Sequence, residues 1–269
     1  MNGAGLVSRK TGIVLLCGLT VLVIVAVALA PRVPQPLSYH NFADHRAWLG
    51  IPNFGDVASN LPFAFVGIWG FAFLFSNQSA DRFVYKRERW TYFLVFLGLF
   101  LTAFGSSYYH LAPDNARLVW DRLPMTIVFM SLVAALIGER ISIRAGLALL
   151  PVLLLIGGGS VLQWYWSEIQ GRGDLRIYAA VQIYAGLVLL LMLVFPAKYT
   201  RSSDYAVIAA FYALAKILEL TDRKIFQALH IVSGHTLKHL AAAMAGYWIL
   251  RMLQRRRILA AQTEATSSL

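Results

Sequence analysis

Eight runs of apolar residues, at about 12–30, 57–76, 91–110, 122–138, 145–166, 177–196, 204–220 and 228–250, fill most of this 269-residue chain. Each is close to the ~20 residues a helix needs to cross a bilayer. Short links such as 77–90, 138–144, 168–174 and 198–204 carry the charges and turn residues. A soluble domain of this length has no interior large enough for 58% apolar residues. Only 14% of the residues are charged, against roughly 25% in an average soluble domain. Disorder is excluded by the same imbalance. The expected fold is an all-α integral membrane protein of eight spans, in which roughly 160 residues cross the membrane and no separate soluble domain fits.

The net charge of +11 is accounted for by membrane topology, so nucleic acid is not expected as a partner. With the N-terminus in the cytoplasm, fourteen Lys and Arg residues fall on the inside, among them Arg82, Lys86, Arg140, Arg144 and Arg255–Arg257. Eight fall outside, among them Arg46, Arg122 and Arg172. That bias puts both termini in the cytoplasm. The run Arg255–Arg257 then reads as a stop and a headgroup anchor. The first apolar run resembles a signal peptide, with Arg9 and Lys10 before it and Ala28-Leu29-Ala30 after it. Its length and the following Pro31 favour a retained helix. The single cysteine, Cys17, permits no intramolecular disulfide.

Ionisable residues inside a span are costly and mark functional sites. Ser106 and His110 are four apart at the end of the third run, and on a helix they share a face. Asp121 opens the fourth run, eleven residues later, on an antiparallel neighbour. His235 and His239 are four apart at the start of the eighth run and can bind one metal ion from one face. His110 supplies a third nitrogen, and three protein ligands plus water is the usual arrangement of catalytic zinc. The topology brings all of these to the outer half of the bundle. Taken singly, each has a plainer role. A membrane histidine can bond between helices. Asp121 can cap a helix or pair with Arg122. Ser106 can bond the preceding turn. Lys216 and Glu219 can neutralise each other, and Asn60, beside Ser59, reads as a helix-packing polar residue.

Taken together, SxxxH, an Asp opening the next helix, and HxxxH in the last helix resemble the signature of the alkaline ceramidases. Their superfamily of seven-helix putative lipid hydrolases includes the adiponectin and progestin receptors. The stretch from about residue 53 to 257 is similar to that seven-helix core in order. The resemblance divides the chain into an extra N-terminal transmembrane helix or uncleaved signal anchor (1–35), a seven-helix core (36–257) and a C-terminal tail (258–269). It implies that His110, His235 and His239 bind Zn2+, that Asp121 serves as general base and acid, and that Ser106 helps stabilise the oxyanion. The implied reaction is hydrolysis of the amide of ceramide, a sphingolipid, or of a related N-acyl membrane lipid by metal-activated water. The expected location is a bacterial inner membrane.

Eukaryotic members bind calcium through an acidic N-terminal segment. The matching stretch here, Asn41 to Trp48, holds one acid, Asp44, and Asn53 stands about where an acidic ligand is expected. With Asp56 the other nearby carboxylate, calcium is not expected. A non-enzymatic lipid receptor or sensor with a structural zinc site is the alternative. A transporter relaying protons through Lys216, Glu219 and the histidines is a third reading, in which Gly157-Gly158-Gly159 breaks the fifth span.

Overall fold

A computed structural model describes residues 8–259 of the chain. Most of the described residues are helical: α1 (Arg9–Leu29), α2 (Phe54–Ala58), α3 (Leu61–Phe75), α4 (Arg89–Leu111), α5 (Asn115–Arg140), α6 (Ile143–Ile169), α7 (Arg176–Met192), α8 (Asp204–Leu220), α9 (Asp222–Leu229) and α10 (Gly234–Arg255). Two isolated bridges are the only β pairing among the described residues. Five helical stretches are long and apolar enough to cross a membrane: α1, α2 with α3, α4 with the turn before it, α5 and α6. They define a multi-pass membrane protein.

Local sequence sets the helix starts. Asp114 accepts from the Arg117 amide at 2.7 Å to begin α5, and Ser142 accepts from the Ala145 amide at 3.4 Å to begin α6. These caps satisfy amides that have no partner within the helix. The link between α5 and α6 is shorter than the sequence suggested, and that between α7 and α8, residues 193–203, is longer. Two residues separate α5 from α6, because Gly146 lies so close to α5 that an added Cβ would stand 2.4 Å from the Ala134 carbonyl. α6 runs unbroken through Gly157-Gly158-Gly159. Gly157 serves instead as a seat for Thr126 and Met130 of α5, which removes the broken helix from the transporter reading.

The long helices alternate in direction, and loop contacts define the two ends. At one end Asn53 reaches the last turn of α4, Ala43 reaches Asp222, and Leu175 bonds Val33. At the other end Glu139, buried at the end of α5, accepts from Tyr205 at 3.0 Å and pairs with Arg256 just beyond α10. Arg256 is therefore no headgroup anchor. It is 1% exposed and packs over the Tyr199 ring, while Arg255 and Arg257 stay at the surface. The chain continues paired beyond 257, with the Leu259 amide donating to the Lys198 carbonyl. The rest of the expected tail lies outside the described residues.

The helix α1 stands at the edge. Its contacts are with α7, where Thr20 meets the Tyr184 hydroxyl at 2.9 Å and Arg176 reaches the Val27 carbonyl at 3.0 Å. Most of its aliphatic side chains face outward, as a helix turned towards lipid requires. The core lies among α3, α4, α5, α7, α8 and α10.

Candidate metal centre

Two helix starts and one helix end build the site. At the start of α10, Ser233 accepts from the Thr236 amide at 3.0 Å, and the Asp222 carboxylate accepts from the His235 amide at 2.8 Å. Gly234 lets this turn press against α8 and α9, since a Cβ there would lie 2.4 Å from the Leu218 carbonyl. His235 and His239, one helical turn apart, then share a face. On α4 the close approach is at Gly105, whose added Cβ would stand 2.0 Å from the Trp120 carbonyl of α5. That approach puts Ser106, the next residue, opposite Asp121.

The three histidines expected as ligands converge. His110, His235 and His239 each offer one ring nitrogen, and these atoms lie within 4.8 Å of one another. Their ring centroids are 4.9, 5.0 and 4.9 Å apart, and all three side chains are buried. Phe42 covers the cluster, with its ring 4.7 Å from His110 and 4.4 Å from His235. The rings suit a metal because two of them keep a nitrogen that the protein does not use, and the third gives its lone pair to a lysine. Nδ1 of His110 is buried with no hydrogen-bond partner among the described residues. His239 Nδ1 lies 2.8 Å from the Ser59 hydroxyl, which itself donates to the Asp56 carbonyl at 3.2 Å. The histidine must therefore supply the proton of that contact, which leaves Nε2 as its lone-pair nitrogen. Lys238 Nζ donates to His235 Nε2 at 3.0 Å, so the lone pair of this ring faces the lysine, and a metal ion would take the place of Lys238 there. A buried set of three imidazoles can hold a metal ion.

Asp121 is buried but lies outside this group of ligand atoms. It does not cap α5, whose cap is Asp114 seven residues earlier, so the carboxylate sits in the second turn. Nor does it pair with Arg122, which donates to Gln35 Oε1 at 2.6 Å and lies over the rings of Trp164 and Tyr178. The Ser106 hydroxyl faces the Asp121 carboxylate and interacts with it. The expected Lys216–Glu219 pair is present, and Lys238 joins it at 2.9 Å from Glu219 Oε1.

The N-terminal segment is tied down by its own side chains. Asp44 is held by the guanidinium of Arg46, with contacts of 2.8 and 2.6 Å, and this pairing lowers its carboxyl below the ordinary range. Both of its oxygens are thereby committed. Asn53 donates to the His110 carbonyl at 2.8 Å, and Asp56 accepts from Thr236 at 2.7 Å. Burial raises the Tyr39 hydroxyl above its usual pKa, and Glu219 adds to the effect.

Four residues at the site were not singled out from the sequence: Ser59, Lys238, Asp222 and Phe42. Ser59 and Lys238 were visible as polar residues within apolar runs. Nothing local marks Asp222 or Phe42, which reach the site through the folding of loops. Asn60, expected as a helix-packing residue, is wholly buried. It donates to the Asp56 carbonyl at 2.8 Å and holds the break between α2 and α3. No protein-family model matches the chain, and no curated protein is significantly similar to it.

Proposed function

We propose that this protein is a zinc-dependent intramembrane hydrolase that cleaves the amide of ceramide or a related N-acyl lipid. The observation that carries the reading is the set of three buried imidazoles together with a separate buried carboxylate, Asp121, where α5 meets α4 at Gly105, about one and a half turns before His110. A closed structural site takes a fourth protein ligand and needs no spare carboxylate. His110, His235 and His239 would hold the ion. Bound zinc lowers the pKa of water to ~7 and polarises a carbonyl.

The chain's own residues handle protons and position. Hydrolysis forms a C–O bond, breaks the C–N bond and moves one proton from water to the leaving nitrogen. Asp121 accepts that proton and delivers it; the Ser106 hydroxyl donates to the carboxylate until Asp121 takes the proton, and then turns to donate towards the oxyanion. Phe42 shields the imidazoles from bulk water. The helix count supports a seven-helix core with α1 appended. The basic bias supports an orientation with both termini in the cytoplasm and the histidines towards the outer face, and the membrane we propose is a bacterial inner membrane.

The test is the zinc content of detergent-purified protein, measured beside a His235→Ala/His239→Ala double variant, with N-acyl lipid hydrolysis followed with and without chelator. About one zinc per chain, lost in the variant together with chelator-sensitive amide cleavage, is the expected result. Zinc without turnover on any N-acyl lipid would favour a receptor. A folded protein without zinc would overturn the metal site.

A further inference from the structure

Beside the metal centre sits a cation without a counterion. Arg122 is 3% exposed, yet it makes no ion pair among the described residues. Its Nη2 donates to Gln35 Oε1 at 2.6 Å, and its Nη1 is buried without a hydrogen-bond partner. The guanidinium lies 4.1 Å from the Trp164 ring centroid, 4.5 Å from Tyr178 and 5.6 Å from Tyr39. Aromatic faces offset part of the cost of burying a cation, but they leave an N–H of this kind without a proper acceptor. Of the other buried arginines, Arg256 has Glu139, and Arg140, at the opposite end of α5, donates to the Phe195 carbonyl at 2.9 Å.

A second surplus lies close by. Lys216 and Lys238 share the single carboxylate of Glu219, which leaves one positive charge over. Tyr39 connects the two places, because its hydroxyl reaches Glu219 at 3.5 Å while Arg122 lies over its ring. Arg122 and Lys238 are both electrostatic neighbours of Asp121. Arg122 and Lys238 thus flank the carboxylate that serves the leaving nitrogen, and with Lys216 the three cations outnumber the two carboxylates, Asp121 and Glu219, by one.

We propose that Arg122 and Lys238 form an anion-reading subsite, and that the N-acyl lipid carries a carboxylate or a phosphate on its amine half. The word substrate rests on the hydrolase reading, but the subsite itself does not. An anion there supplies the acceptor that Nη1 lacks and balances the extra charge around Glu219. Arginine suits the task because its fork of N–H groups matches carboxylate and phosphate oxygens. A neutral head group would leave the buried guanidinium as it stands.

The test is equilibrium binding to full-length protein in non-ionic detergent, using three probes that cannot be hydrolysed. They are dodecyloxyacetate, 2-dodecyloxyethyl phosphate and neutral 2-dodecyloxyethanol. At least one anion should bind about tenfold more tightly than the neutral probe, and comparison of the two anions identifies the chemistry read. In Arg122→Gln the preference should fall to within about twofold while the neutral probe binds as before. Equal binding of all three probes to the unaltered protein overturns the proposal, and that comparison needs no variant to fold. A preference that survives in Arg122→Gln also overturns the joint subsite, because Lys238 alone, the metal or the basic surface would then be its source. Because the probes carry an ether in place of the amide, absence of zinc or of turnover would defeat the hydrolase reading and leave this result standing.

Discussion

The side-chain amide of Asn53 donates to the backbone carbonyl of His110 across 2.8 Å, and ties the entry to α2 to the last turn of α4. Asn53 adopts a left-handed backbone, with φ +46°, a conformation that asparagine tolerates better than most residues. Since its nitrogen faces His110, its oxygen must accept from His45 Nδ1, 3.2 Å away. Asn53→Ala should therefore destabilise the protein by about 1–3 kcal/mol, because a buried carbonyl loses its donor. Asn53→Asp keeps the shape and also lacks the donor, so it should do no better. Thermal unfolding in detergent, with zinc retention followed alongside, checks this. Wild-type melting in both variants would show that the tie carries no weight.

Ser59 acts through His239. Its hydroxyl accepts the Nδ1 proton and fixes the tautomer that leaves Nε2 free. Ser59→Ala should weaken zinc affinity by about 10–100-fold, the usual cost of losing such an outer partner. Melting of the metal-free protein should change little. Competition with a chromophoric chelator measures the affinity, and an unaltered zinc constant would exclude Ser59 from the site.

Five of the eight expected spans were legible because the bilayer imposes a coarse demand for length and apolarity, which α7 and α8, at 17 residues each, fall short of. The three histidines were legible as a set because polar groups are conspicuous in such runs. The start of α5 was misread, because the residues from Asn115 to Trp120 are polar enough to look like loop although they form helix. A helix that extends beyond the apolar zone leaves no hydropathy signal there, and only the cap at Asp114 marks it. Arg256 was misread for the opposite reason. A basic run after a span suggests the surface, and only the distant Glu139 draws its middle member inside. Phe42 and Asp222 meet the histidines through loop closure, which no local pattern encodes.

Asp121 and Ser106 should separate metal binding from turnover. Asp121→Asn removes the proton acceptor and leaves all three imidazoles in place. Zinc should stay near one per chain, while amide hydrolysis should fall by about 10²–10⁴-fold. Ser106→Ala should lose less, because it removes the group that orients the carboxylate and spares the carboxylate itself. Single-turnover rates on a fluorescent N-acyl lipid, with zinc measured on the same samples, test both. Near-normal rates in Asp121→Asn would remove its acid–base role.

Asp44 makes stability depend on pH in a defined direction. The Arg46 guanidinium holds its carboxyl below the ordinary range, and Arg46 also donates to the carbonyls of His230 and Ile231 at 3.0 and 2.7 Å. The pair thus fastens the loop that carries Phe42 to the turn before α10. A carboxyl whose pKa is lower in the folded state contributes stability above its unfolded pKa of about 4, and that contribution disappears as pH falls through the folded value. Asp44→Asn should therefore melt below the wild type at neutral pH, and the gap should close as pH falls below about 4. Added calcium should leave both curves in place, since both Asp44 oxygens already face Arg46. Melting temperatures across about pH 3–8 decide the matter. A gap that persists unchanged in acid would assign the effect to packing, and one that appears only with calcium would show that Asp44 serves an ion.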